Sequence, residues 1–176
     1  MHRNIERVLI SEEKIIARTK ELGAQITKDY QDKKPMLVAL LKGSIPFMAE
    51  IMKRIDLDLE IDFMDVSSYA GTESTGDVRI NKDLTTSIKG LDIILVEDIV
   101  DTGHTLQKVV ELLYAKGANS VKIVCLLDKP DRREVDIKAD YVGFEVPNLF
   151  VVGYGLDFNQ QYRNLPYIGV LKKECY

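Results

Sequence analysis

Thirteen consecutive residues limit this chain more than any others: Ile93-Ile94-Leu95-Val96-Glu97-Asp98-Ile99-Val100-Asp101-Thr102-Gly103-His104-Thr105. They open on an unbroken apolar run, which suits a parallel strand buried on both faces. Two carboxylates and two β-branched residues follow, then a short turn of Asp, Thr and Gly. Beyond it Leu106, Val109, Val110, Leu113 and Tyr114 recur at helical spacing, and Gly117 can end the helix. The order is strand, loop, helix.

In open α/β sheets ligands bind at the carboxyl ends of strands, where such loops lie. The free N–H groups of the helix start favour an anion there. Gly103 permits close backbone approach, and Thr102 and Thr105 add hydroxyl donors. The loop reads as a phosphate cradle, yet it lacks the Gly-Lys-Ser/Thr ending of a Walker A loop and so supplies no lysine of its own. Glu97 and Asp98 would repel phosphate, so they face another part of the ligand, either sugar hydroxyls or a metal ion. A phosphate beside a diol describes ribose 5-phosphate. A plainer alternative stays open: Glu97 and Asp98 end a strand, and Asp101 caps a helix.

Several function classes are excluded by composition. The net charge of −4 gives no basic surface for nucleic acid. No run is long enough to span a membrane, and Met1-His2-Arg3-Asn4 leads into no apolar secretory core. The two cysteines, Cys125 and Cys175, form neither metal spacing nor a disulfide framework, which points to a reducing compartment and the cytoplasm by default. A length of 176 residues fits one domain.

Along the chain, Ser11 can cap a helix carrying Ile15, Thr19, Leu22, Ile26 and Tyr30 on one face. Met36 to Leu41 reads as a buried strand, and Pro46 opens a helix with Phe47, Met48, Ile51, Met52 and Ile55. Leu57, Leu59, Ile61 and Phe63 alternate as in a strand. Residues 68–77, rich in Gly, Ser and Thr, read as a mobile loop at a hairpin tip, with Val78-Arg79-Ile80 returning. Val121 to Leu127 is a further strand, Tyr141 to Phe144 and Phe150 to Gly155 are short ones, and Asp157 to Leu171 has only weak periodicity. Strands alternating with helices predict an α/β fold with a parallel-sheet core, helices on both faces and a small subdomain from the chain ends.

The stretch from Ile93 to Thr105 resembles the phosphoribosyl-pyrophosphate (PRPP) signature of type I phosphoribosyltransferases. Its neighbours are similar to the 6-oxopurine branch of that family, the hypoxanthine-guanine phosphoribosyltransferases. The resemblance rests on Leu40-Leu41-Lys42-Gly43, Ser68-Tyr69, Lys129, Asp140 to Pro147, Phe150 to Asp157, and Arg163. It implies a single domain with a core over about residues 35–145 and a hood from residues 1–10 and 146–176.

The resemblance also implies roles. Glu97, Asp98, Asp101, Thr102, Gly103, His104 and Thr105 would hold the ribose and its 5-phosphate, although an exposed His104 is the simpler reading of that residue. Lys42, Gly43 and Arg163 would hold pyrophosphate, with a cis peptide bond between Leu41 and Lys42. Lys129, Phe150, Val151 and Asp157 would bind the purine, and Asp101 would approach N7 and share the proton lost there. Mg²⁺ is the implied cofactor, with Asp157, Glu97 and Asp98 as candidate ligands. Ser68 and Tyr69 belong to a lid. The implied partners are PRPP, a 6-oxopurine and further copies of the chain, as a homodimer or homotetramer, with no nucleic acid and no membrane. Two departures stand out: Gly155 where the family implies Ala, and the short loop from Pro130 to Lys138. A PRPP-sensing regulator would need an added basic surface or DNA-binding domain. A sibling transferase for xanthine, orotate or a pyrimidine fits Lys129 and Phe150–Asp157 less well.

Overall fold

A computed structural model describes residues 1–68 and 78–176. Its centre is a six-stranded sheet in the order β4-β3-β2-β5-β6-β7. The strands are β2 (Met36–Leu40), β3 (Glu60–Ser68), β4 (Val78–Lys82), β5 (Asp92–Val100), β6 (Ser120–Asp128) and β7 (Tyr141–Glu145). β2, β3, β5, β6 and β7 run parallel, and β4 returns antiparallel beside β3.

The apolar runs of β2 and β5 feed two cores in alternation. Leu37, Ala39, Ile94 and Val96 meet Ile15, Leu22 and Ile26 of α1 (Glu12–Asp29) and Phe47, Met48 and Ile51 of α2 (Ile45–Ile51). Met36, Val38, Ile93 and Leu95 pack instead with Leu106, Val109 and Leu113 of α3 (His104–Ala115). A strand buried on both sides has no polar alternate positions, which explains the unbroken runs in the sequence. Ser11 caps α1, its Oγ accepting from Lys14 N–H at 3.4 Å. Gly117 follows α3 with φ +93, the left-handed residue that closes many helices.

The chain ends form a second, three-stranded sheet of β1 (Ile5–Ile10), β9 (Ile168–Leu171) and β8 (Val151–Val152). Three sequence-based boundaries change. The strand read over Leu57–Phe63 begins at Glu60, with Leu57 and Leu59 packed on the core before it. The strand read over Phe150–Gly155 shrinks to Val151–Val152, because Gly153 and Gly155 take positive φ and turn the chain. The weakly periodic tail contains β9, whose four residues are all buried.

Both outer edges of the large sheet carry charge. On β4, Arg79, Asn81 and Lys82 are exposed. On β7, Arg18 of α1 donates through Nε to the Gly143 carbonyl at 3.0 Å and through Nη2 to the Val142 carbonyl at 2.9 Å.

Candidate active site

Successive connections leave β2 and β5 towards opposite edges, so the carboxyl ends of these adjacent strands open a crevice. Two loops fill it. The one after β2 carries the cis peptide Leu41-Lys42 that the resemblance implies. The one after β5 runs from Asp101 to Gly103, and Gly103, at φ +92, starts α3 with no side-chain cap. Asp101 therefore does not cap this helix, which removes the plainer reading of that residue.

Glu97 and Asp98 lie half-buried near the carboxyl end of β5. Burial pushes both carboxyls up, Asp98 to about 6, and the neighbouring Asp98 charge raises Glu97 further. Asp98 Oδ1 accepts from Ile99 N–H at 2.8 Å. Its Oδ2 lies against Gly43, where a Cβ would come within 1.7 Å of it. Gly155, at φ +101, sits against Gly43 in turn, and a Cβ there would meet the Gly43 carbonyl oxygen at 1.8 Å. This contact accounts for Gly155 where the family implies Ala: here the two backbones touch.

Gly155 also holds Arg163, whose Nη1 donates to the Gly155 carbonyl at 2.8 Å. Arg163 Nη2 lies 2.8 Å from Asp157 Oδ1, and Asp157 Oδ2 accepts from Gln160 N–H at 2.8 Å. The buried Arg163 Nε has no partner among the described residues. Gly43, Arg163 and Asp157 thus gather around Gly155, beside Asp98.

A hollow of about 180 Å³ is lined by Glu97, Asp101, Thr102, Gly103 and Thr105. His104 does not line it. Its Nε2 lies 2.7 Å from Glu134 Oε2 on the surface, so its side chain is engaged there while its backbone N–H stands at the start of α3.

A cleft of about 420 Å³ is lined by Asp101, Lys129, Phe150, Val151, Arg132 and Tyr176. Asp101 and Ile99 line both spaces and so form their common wall. Lys129 is only 8% exposed, and its Nζ donates to the Leu149 carbonyl at 2.8 Å. Burial lowers its pKa, against the pull of the Asp101 charge. Arg132 Nε stands 2.6 Å from Asp101 Oδ1, without the alignment of a hydrogen bond. Asp157 does not line this cleft; it stands with Arg163.

Sequence reasoning missed Arg133. Its Nε donates to the Asp101 carbonyl at 2.9 Å and its Nη1 to the Ile137 carbonyl at 2.6 Å, while Nη2 pairs with the Asp128 carboxylate. Ile137, Arg133 and Val135 also crowd Gly103, with Ile137 Cγ2 only 2.6 Å from where a Cβ would stand. The short loop from Pro130 to Lys138 is therefore the support of the phosphate loop. A charged run gives no sign of such burial, so only the proximity of Asp128 hinted at it.

Ser68 ends β3, paired with Val78. Tyr69 and the rest of the expected loop, through residue 77, lie outside the described residues. Among the described residues no three of His, Cys, Asp or Glu form a metal cluster. Asp157, Glu97 and Asp98 offer carboxylate oxygens, the hard donors that Mg²⁺ takes one or two at a time, the rest of its shell coming from water and substrate phosphates. Among the described residues no helix is long and apolar enough to cross a membrane.

The phosphoribosyl transferase domain model matches residues 9–159. The chain is 59% identical to the hypoxanthine-guanine phosphoribosyltransferase of Bacillus subtilis (strain 168) over 177 aligned positions, covering 100% of this chain and 98% of the relative. It is 58% identical, with the same coverage, to the enzyme of that name from Streptococcus mutans. The fold superposes with a TM-score of 0.97 on a crystal structure of a hypoxanthine phosphoribosyltransferase from Staphylococcus aureus, at 58% identity, covering 100% of this chain and 96% of that one. The chain belongs to the phosphoribosyltransferase family, with the type I fold. Within that family it stands in the hypoxanthine-guanine branch.

Proposed function

We propose that this chain is a purine-salvage enzyme that moves the 5-phosphoribosyl group of PRPP to hypoxanthine or guanine, giving IMP or GMP and pyrophosphate. The observation that carries this reading is the common wall: Asp101 lines both the hollow at the start of α3 and the cleft beside Lys129 and Phe150. A ribose 5-phosphate in the first and a purine in the second would meet at that residue.

In this reading Thr102, Gly103 and Thr105 hold the 5-phosphate through N–H and hydroxyl donors. Glu97 and Asp98 accept from the ribose hydroxyls. Lys42, the Gly43 backbone and Arg163 hold pyrophosphate, the guanidinium as a planar fork. The bond from ribose C1 to pyrophosphate breaks as N9 of the base bonds to C1, and the base loses a proton. Asp101, at the common wall, takes or shares that proton at N7. Phe150 stacks on the base and the Val151 backbone meets its edge. Asp157, Glu97 and Asp98 are the candidate carboxylates for Mg²⁺, which would be shared with the substrate. A bound Mg²⁺ neutralises charge on the pyrophosphate oxygens. The enzyme acts in the cytoplasm, where its two cysteines stay reduced, and it assembles as a homodimer or homotetramer.

Lys129 sets base choice. An ammonium has donors only, so it fits the 6-oxo acceptor of hypoxanthine and guanine and opposes the 6-amino group of adenine. The test is incubation with PRPP, Mg²⁺ and each free base, read by ultraviolet absorbance. Both oxopurines are turned over, and adenine at least about 10³-fold less efficiently. Efficient use of adenine defeats the role of Lys129. Binding of PRPP with no turnover of any base would make the chain a sensor instead.

A further inference from the structure

The ring of Phe150 is held by one short stretch of chain. The Phe150 carbonyl accepts from Leu171 N–H at 2.9 Å, which extends the β8–β9 pairing by one residue. From Leu171 the chain passes through a single 3-10 turn, Lys173–Cys175. That turn is anchored twice: Lys172 N–H donates to the Asn4 carbonyl at 3.0 Å, and Cys175 packs against the cluster of Ile5, Val152 and Leu171. The chain then lays Tyr176 on Phe150, with ring centroids 4.5 Å apart and the planes 25° from parallel. Phe158 meets Phe150 edge-on, at 5.5 Å and 89°, and lies 6.4 Å from the Tyr176 ring. One face and one edge of Phe150 are thus covered by aromatic rings. Yet Phe150 remains 36% exposed and lines the cleft with Asp101 and Lys129.

A half-exposed phenylalanine turns about its side-chain torsions unless something stops it. A purine stacks on such a ring only in the fraction of time that its plane is presented, and apparent affinity falls by that fraction. Tyr176 is 52% exposed, so it contributes little to the core, and its ring contacts are with Phe150 and Phe158. The backbone of Phe150 and one face of its ring are held by the same few residues, Leu171 to Tyr176. That arrangement holds the ring plane, with both Phe150 and Tyr176 at the wall of the cleft.

We infer that Tyr176 is a positioning residue for the purine: it covers one face of Phe150 and fixes the plane on whose other face the base stacks. The inference rests on the proposed reaction and adds a residue to its base site. It also explains why a ring stands at position 176, where the aliphatic side chain of Leu would give similar cover but no flat face.

The experiment compares the unmodified protein with Tyr176→Ala, Tyr176→Leu and Tyr176→Phe in steady-state kinetics, with KM measured separately for the oxopurine and for PRPP. The Ala and Leu variants should raise the KM of both hypoxanthine and guanine by about 2- to 10-fold, the factor equivalent to the roughly 0.5–1.5 kcal/mol of an aromatic pair. Their PRPP KM and kcat should stay within about 2-fold, and Tyr176→Phe should match the unmodified protein, since stacking does not use the hydroxyl. If Tyr176→Ala does not fold, the bulkier Leu variant carries the same test. Base KM that is unchanged overturns the inference, as does base KM that falls, which would make the ring an obstruction. A parallel rise in base and PRPP KM overturns it too, because a general loosening of the site has no preference for the base. The proposed reaction fails separately, as absence of turnover by the unmodified chain, and the role of Tyr176 then falls with it.

Discussion

Replacing Arg133 by Met keeps most of the side-chain volume and removes the guanidinium. That group donates to the Asp101 and Ile137 carbonyls at 2.9 and 2.6 Å and pairs with the Asp128 carboxylate. The two side chains of the pair are only 14% and 13% exposed. Without the cation, Asp128 is a buried carboxylate with no counter-charge, which costs about 3–5 kcal/mol. For a chain of this size that lowers the thermal midpoint by about 6–20 °C. Adding Asp128→Leu to Arg133→Met should return most of the loss. Exchanging a whole buried ion pair for apolar groups is close to neutral, so the double variant should lie within about 2 kcal/mol of the parent. The phosphate loop stays unclamped in both variants, since the bond to the Asp101 carbonyl is gone. A lost charge-assisted bond is worth about 1.5–3 kcal/mol, so PRPP KM should rise by about 10-fold or more in each. Urea denaturation and steady-state kinetics on the parent, both single variants and the double variant complete the cycle. A single variant within about 1 kcal/mol of the parent, or a double variant less stable than Arg133→Met, would refute the reasoning.

Three further outcomes are expected. Asp101→Asn should lower kcat by about 10- to 1,000-fold with little change in thermal midpoint, because α3 begins at Gly103 and not on this side chain; unchanged turnover removes Asp101 from the chemistry. Gly43→Ala drives a methyl group to within 1.7 Å of Asp98 Oδ2, so PRPP KM should rise with the base KM unaffected, and equal effects on both would contradict that placement. Asp98 titrates near 6 in the fold against 3.8 ordinarily. The folded state therefore holds a proton that the unfolded chain has already released, and stability falls as pH rises between those values. Without ligand and in chelator, Asp98→Asn should gain nothing at about pH 4 and several degrees in thermal midpoint at about pH 8; a gain independent of pH would show that burial does not raise this carboxyl.

The strand, loop and helix from Ile93 to Ala115 were legible because each part obeys a local rule: a doubly buried run, a glycine turn, a helical repeat. The helix after Ser11 was legible for the same reason, with its cap and its buried face both written in the sequence. What stayed hidden was set by distant parts of the chain. Phe150–Gly155 reads as a strand, but Gly153 and Gly155 bend it to bring Gly155 against Gly43, a contact between residues far apart in sequence. Arg133 looks like one of a solvated pair with Arg132, and only the position of Asp128, Asp101 and Ile137 around it shows its burial. β9 is short, and its register is fixed by pairing with β1 on one side and β8 on the other. The placing of Asp101 between two hollows follows from β5 and β6 lying side by side, which no local pattern states.

The sheet that carries the site has two open edges, and each is closed to strangers in a different way. An unpaired strand edge is a template on which another chain can extend the sheet, and an apolar parallel sheet is an inviting one. At β7 the Arg18 guanidinium already occupies the carbonyls of Val142 and Gly143. An arriving strand would meet a cation already bonded to the carbonyls of this strand. At β4 the exposed Arg79 would bring like charges together if two copies met edge to edge, while Lys82 is held by Asp62 and the Phe63 and Asp83 carbonyls. The salvage chemistry thus sits on a sheet that resists growing into a fibril, and Arg18, which lines neither the hollow nor the cleft, guards the concentration of protein at which the enzyme can be kept.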